Sequence, residues 1–339
     1  MRAALFKARG AALEIADVPD PVAGPGEVIV RVKACGVCGS DLHAATSSAV
    51  TMPAGTIMGH EFAGIVETVG DSVSQFAPGD AVTAISFVTC GDCVMCRSGA
   101  GVRCLASRPL GFGEVPGAFA EFVKTRPGSI FRMPAGLDFR TGATVEPLVA
   151  GVHALRRARF QAGETCVILG AGTLGLAMLL WARFAGATTI VVAEVQMPRR
   201  DLALKLGADI AVDPRLRNPV TEMARITGSG PDVIFECIGS PGTLAQAISM
   251  APRGCRVAVL GAAMEDDGFP PAVALSRELD VHFSLGIEPG EVEATIAALS
   301  AGRLNVAAMI THTVNLAQLP RAFTALGESA IHGKLMLEL

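Results

Sequence analysis

The sequence predicts an α/β protein of two domains, one β-rich with irregular loops and one doubly wound around a parallel sheet. Three observations carry this prediction. At 339 residues, half of them hydrophobic, the chain is too long for one small core and suits about two domains. Up to about residue 148, short β-type runs such as Val28–Val32, Ala63–Val69 and Ala81–Ser86 are punctuated by Gly24-Pro25-Gly26 and Pro78-Gly79-Asp80. From about residue 160, strands alternate with apolar helical runs, the pattern of a parallel sheet covered on both faces.

Taken in order, the second part opens with a strand at Cys166–Leu169 and a helix at Leu174–Phe184, closed by Gly186. A strand at Thr189–Ala193 and a helix opening at Pro198 follow, then strands at Ile210–Val212 and Val233–Glu236. A helix near Thr243–Met250 leads to a strand at Arg256–Leu260 and a last short one near Val281–Leu285. After a helix from Pro289 to Leu299, the strand-like tail Lys334–Leu339 is expected to rejoin the first domain. The domains are placed at 1–148, completed by 285–339, and at 149–284.

The formal charge of −4 is spread without basic clusters, which argues against nucleic acid or anionic lipid as partners. Apolar stretches such as Leu174 to Trp181 fall well short of the roughly 20 residues that span a bilayer. Leu5 and Phe6 are soon followed by Lys7, Arg9 and Glu14, which does not read as an export leader, so a cytoplasmic protein is expected. In that compartment nine cysteines point to metal sites or buried thiols rather than disulfides.

Gly170-Ala171-Gly172-Thr173-Leu174-Gly175 follows a buried-strand run and opens an apolar helix, the context that gives a glycine fingerprint meaning. Gly170 makes the turn, Gly172 clears the path of a pyrophosphate, and Gly175 lets helix and strand pack closely, with the helix N-terminus facing the anion. Glu194 ends the next strand 19 residues after Gly175, where an acid hydrogen-bonds the ribose hydroxyls. A carboxylate there repels a 2′-phosphate, so NAD is favoured, while Arg199 and Arg200 close behind keep NADP open. The plain alternative is that the glycines only turn the chain and Glu194 is a solvated strand end.

Cys90-x2-Cys93-x2-Cys96-x7-Cys104 packs four thiols into fifteen residues. Four thiolates with no open position suit a tetrahedral structural zinc that stabilises its loop. Gly91, Asp92 and Gly99 fit tight turns, and Arg97 and Arg103 offset the charge. A reduced cysteine cluster or an iron–sulfur site is the alternative. Cys35, Cys166, Cys237 and Cys255 lack metal spacing and read as small buried residues, and His153, His282, His312 and His332 read as ordinary histidines.

Further motifs stand in a fixed order: Gly36-Val37-Cys38-Gly39-Ser40-Asp41-Leu42-His43, Gly59-His60-Glu61, the cysteine loop, Glu146-Pro147-Leu148, the Gly170 fingerprint and the ending Gly333-Lys334-Leu335. In this order they resemble the zinc-dependent medium-chain dehydrogenase/reductase family of alcohol dehydrogenases over essentially the whole chain. The polyol, threonine and butanediol dehydrogenase branch also carries a glutamate at the position of Glu146. The resemblance implies a GroES-like catalytic domain, a Rossmann domain, catalysis in the cleft separating them, and a homodimer or homotetramer. It implies two zinc ions per subunit. A catalytic ion would be held by Cys38, His60 and Glu146, with Glu61 a transient ligand or a partner of the ligands. Ser40 and His43 correspond to the family's proton relay, and Asp41 orients their loop. The implied reaction moves hydride between an alcohol, or its carbonyl, and NAD(H).

The chain departs from the sorbitol-type enzymes in having Ala44-Ala45 where they carry an aromatic pair and Gly286-Ile287 where they carry Arg-Tyr, and it contains no tyrosine. Loss of those polar contacts points away from a polyol, toward a secondary or primary alcohol or small diol. Two rivals remain: a zinc-free quinone or enone reductase on the same fold, and a non-enzymatic dinucleotide-binding protein.

Overall fold

The computed structural model describes every residue except Gly99, Ala330 and the side chains of Val102 and Pro289; the turn expected at Gly99 therefore lies outside the described residues. The chain divides into two compact units. The first comprises Met1–Glu146, Ile287–Gly302 and Ile310–Leu339, the second Pro147–Gly286 and Arg303–Met309.

The first unit is built on a seven-stranded sheet. Its strands lie in the order Ile310–Val314, Lys334–Glu338, Val28–Gly36, Glu61–Val69, Ala81–Ala84 and Ile130–Arg132, with Phe122–Thr125 also paired to the Val28 strand. The tail thus inserts beside Val28–Gly36, antiparallel to it, and sets Met336 opposite Gly36. On its other side Gly36 stands opposite Glu61. Register shifts at Ile29/Val30 and Val32/Ala34 mark irregularities that bend a long strand and let the sheet curl around a core containing Met58, Phe62, Phe119 and Leu335.

The second unit holds six parallel strands in the order, counted along the chain, 3-2-1-4-5-6. Thr165–Leu169 is buried along its whole length, as a central parallel strand covered on both faces must be, which is why it reads as a continuous apolar run. It is strand 1, and the order reverses between it and strand 4, Val233–Glu236; open α/β sheets take ligands beyond the C-terminal ends of such a pair. The last strand is Asp280–Phe283: it starts one residue before the expected Val281 because Asp280 already pairs with Arg256, and it ends two residues before the expected Leu285 because its pairing stops at Phe283 opposite Val259. Among the described residues no helix is long and apolar enough to cross a membrane.

Candidate active site

Cys38 ends the segment leaving the Val28 strand and caps the helix Gly39–Thr46. Its backbone N–H donates to the Asp41 carboxylate at 2.9 Å, fixing the loop on which its thiol sits. Asp41 is fully buried, and its second oxygen lies 3.5 Å from His60 Nδ1. The His60 ring thus has its Nδ1 side against the Asp41 carboxylate, with Nε2 3.5 Å from Ser40 Oγ. A carboxylate behind an imidazole is the arrangement that orients a metal-binding histidine. Gly59, at φ +89, makes the bend before His60, and the Phe119 ring occupies the space where a side chain at Gly59 would go.

Glu61 opens the next strand and is completely buried. Atoms of Cys38, His60 and Glu61 that can bind metal all lie within 4.8 Å of one another. Glu61 Oε1 is buried without a hydrogen-bond partner among the described residues. A thiolate, an imidazole and a carboxylate converging in this way, with a buried polar atom unsatisfied, fit a zinc ion with room for a further ligand. Phe112, its ring centroid 5.4 Å from that of His60, adds an apolar wall that the motifs did not indicate.

Glu146 lies in the first turn of the helix Val145–Arg157 and is not part of that close-set trio. Burial and the nearby Glu61 push its carboxyl up, opposed by His60, a hydrogen bond with Ser86, and Lys334. Sequence reasoning gave Ser86 no role and noted Lys334 only as part of the ending Gly333-Lys334-Leu335, without a place at this site. The Lys334 ammonium is buried, forms an ion pair with Glu61 and donates to the Val37 carbonyl at 3.0 Å. Burial alone would lower its pKa, but Glu61, Cys38 and Glu146 outweigh that and raise it. Ser40 is brought to the trio, whereas His43, in the last turn of the same helix, is exposed, and no hydrogen bond joins the two among the described residues. Ala44 and Ala45 are buried in the first unit's core.

Burial disfavours a charged His60 ring, yet Asp41 and then Cys38 outweigh it and lift its pKa well above the usual imidazole value. The proton is therefore retained in the metal-free protein beyond the pH at which an unfolded chain would lose it. Stability gained from that charged ring is complete below the unfolded pKa and fades as pH rises through the folded one. Zinc must displace this proton, so its affinity for the metal-free protein is expected to rise with pH across the same window. Competition with a chromophoric chelator, corrected for the chelator's own protonation, checks this; a pH-independent affinity would contradict it.

In the cysteine loop, sulfur–sulfur distances are 3.5 Å for Cys93–Cys96, 3.5 Å for Cys90–Cys104 and 3.8 Å for Cys90–Cys96. Tetrahedral Zn–S bonds of ~2.3 Å require about 3.8 Å between sulfurs, so the four thiols already have the size of a zinc site. Cys93 Sγ also accepts from the Cys96 N–H and caps the helix Val94–Arg97. Backbone N–H bonding, led by that from Cys90, lowers the Cys104 thiol to about 7, while a side-chain contact with Asp92 raises Cys90 to about 12. Cys35, Cys166, Cys237 and Cys255 are buried and free.

In the second unit, Gly170 has φ +93, the left-handed backbone that glycine tolerates. A side chain on Gly175 would come within 1.9 Å of the Gly170 carbonyl oxygen, so that glycine is required for close packing of helix on strand. A side chain on Gly172 would meet nothing of the protein within 4 Å, leaving open space in front of the helix Thr173–Phe184, whose first N–H groups have no side-chain cap. Glu194 is buried, accepting from the Ala171 N–H at 3.0 Å and the Gln196 N–H at 2.9 Å. Arg200 is committed to the Glu194 and Val195 carbonyls and to Asp213, whereas Arg199 Nε is buried without a hydrogen-bond partner among the described residues.

Residues 24–135 match the alcohol dehydrogenase GroES-like domain, and residues 173–301 match the zinc-binding dehydrogenase domain. The chain is 36% identical to sorbitol dehydrogenase of Bacillus subtilis (strain 168) over 253 residues, covering 74% of this chain and 72% of that one. The structure of alcohol dehydrogenase TADH from Thermus sp. ATN1 superimposes with a TM-score of 0.91 at 28% identity, covering 100% of this chain and 99% of that one. A putative zinc-binding dehydrogenase from Sinorhizobium meliloti 1021, bound to NADP, gives a TM-score of 0.87 at 32% identity, with 100% and 99% covered. With the ligand trio, the four-cysteine loop and the glycine fingerprint in place, these matches establish that the chain belongs to the zinc-dependent medium-chain dehydrogenase/reductase family.

Proposed function

We propose that the protein is a zinc alcohol dehydrogenase that interconverts a secondary or primary alcohol, or a small diol, with its carbonyl, using NAD(H). The observation that carries this reading is the convergence of Cys38, His60 and Glu61 beside Ser40. Zinc bound there supplies Lewis acidity toward the substrate oxygen, and the nicotinamide takes or returns hydride. Cys38 and His60 hold the ion, Glu61 is the third ligand by proximity, and Glu146 acts from one step further out, steadied by Ser86. Asp41 fixes both the Cys38 loop and the His60 ring. Ser40 receives the hydroxyl proton, and His43, three residues on along the same helix, opens the route to solvent. Cys90, Cys93, Cys96 and Cys104 hold the structural ion.

Gly170, Gly172, Thr173, Leu174 and Gly175 form the pyrophosphate cradle, and Glu194 selects the ribose with free hydroxyls. NADP is the second reading, favoured by the unpartnered Arg199 Nε and by the NADP-bound relative. Phe112 beside His60 supports an apolar substrate over a long polyol. A homodimer or homotetramer is supported by the outer edge of the Asp280–Phe283 strand, where Phe283 is 63% exposed, and by Leu285 just beyond it, 77% exposed. Nine free cysteines suit the reducing cytoplasm.

The test is turnover by the zinc-loaded protein with NAD and NADP against simple alcohols, small diols, 3-hydroxy amino acids and sorbitol, with light scattering for copy number. Small alcohols or diols with NAD are expected to lead. A preference for sorbitol would overturn the substrate assignment, a preference for NADP the role given to Glu194, and a monomer the assembly.

A further inference from the structure

Among the described residues, Lys334 is the charged group at the metal-ligand trio that the reaction above does not use. Its place follows from strand order. Met336, Gly36 and Glu61 stand opposite one another on three adjacent strands, and Lys334, two residues before Met336, shares its face of the sheet. To reach Glu61 its side chain must cross the Gly36 position. A side chain on Gly36 would come within 2.1 Å of Glu61 Oε2 and 2.5 Å of Lys334 Cε, so the absence of one there is what lets the two charges meet. Both partners are sealed from solvent, Lys334 at 1% exposure and Glu61 at 0%. Burying an ion pair is a poor route to stability, because desolvation offsets the attraction and an apolar pair fills the same space as well.

We infer that Lys334 is a positioning residue that competes with the catalytic zinc for the Glu61 carboxylate and so keeps that ligand exchangeable. Glu61 has two partners within reach, the Cys38 and His60 atoms that would hold the ion with it and the ammonium of Lys334. The ammonium also lowers the negative charge facing the ion, since Cys38, Asp41, Glu61 and Glu146 all gather there. By holding Glu61, Lys334 would leave a coordination position free at an ion bound by Cys38 and His60, and by releasing it would let the carboxylate serve as a ligand. The inference rests on the zinc alcohol dehydrogenase reading.

The test replaces Lys334 with methionine, which keeps length and bulk but not charge, and with glutamine, which retains a donor for the Val37 carbonyl. Two readouts are taken on the holoenzyme: the rate at which a chelator strips the Cys38-site zinc, and the visible spectrum after cobalt replaces that ion. Both variants are expected to lose zinc about tenfold more slowly, the lower end of what groups behind a metal ligand usually contribute. Their cobalt spectra are expected to show a more fully coordinated ion, with kcat reduced and KM for NAD unchanged. An unaltered spectrum, unchanged or faster zinc loss, or failure of both variants to fold would each overturn the assignment, the last by making the lysine a structural strut. Wild-type protein that binds no zinc through Cys38 would instead defeat the underlying enzymatic reading.

Discussion

Replacing Cys38 with alanine is expected to reduce zinc from two ions per subunit to one and to lower turnover by about a thousandfold or more. The trio is small. Without the thiolate, His60 and Glu61 remain, and Glu61 then has Lys334 as its better partner. Loss of the ion removes several kcal/mol of charge stabilisation at the substrate oxygen, which sets the size of the effect. The second zinc is expected to stay, because its four sulfurs come from one short loop and share no residue with the trio. Metal analysis of both proteins, with turnover on the same preparations, decides the matter. A variant that kept both ions would mean that Cys38 is not a ligand.

Gly175→Ala is expected to abolish measurable dinucleotide binding and to lower the melting temperature, with both zinc ions retained. The added carbon would lie 1.9 Å from the Gly170 carbonyl oxygen and 2.9 Å from its carbon, and these are backbone atoms with no rotamer to change. The helix must lift from Thr165–Leu169, an overpacking cost of about 1–3 kcal/mol. Gly172→Ala is the control: its added carbon touches no protein atom, so stability is expected to hold while dinucleotide binding weakens. Calorimetry and NADH fluorescence titration read both effects. Unchanged binding in Gly175→Ala would show that the loop does not hold the cofactor.

What was legible in the sequence was whatever is local along the chain. The four-cysteine loop and the glycine fingerprint each lie within fifteen residues, so spacing alone reports their geometry. The parallel sheet was legible because its strands are buried on both faces and read as apolar runs. The Glu61–Lys334 pair was not, since Lys334 meets Val37 across 297 positions and only strand order brings them together. The relation of Glu61 to Glu146 was open for the same reason. The helix Val145–Arg157 was hidden by Pro147, which breaks a helix interior but is tolerated in a first turn. The helix Pro219–Thr227 did carry local signals: Asn218 caps it, Pro219 opens it and Gly228 closes it in the left-handed region, yet its polar face gave no apolar run to notice.

The central claim is that the zinc held through Cys38 and His60 makes this chain an alcohol dehydrogenase. The most direct test is alcohol-dependent reduction of NAD by wild-type protein, measured before the Cys38-site zinc is stripped, after stripping, and after zinc is restored. The expected result is turnover of a small secondary alcohol or diol that disappears with the metal and returns with it. Activity indifferent to zinc, with an enone reduced in its place, would contradict the account.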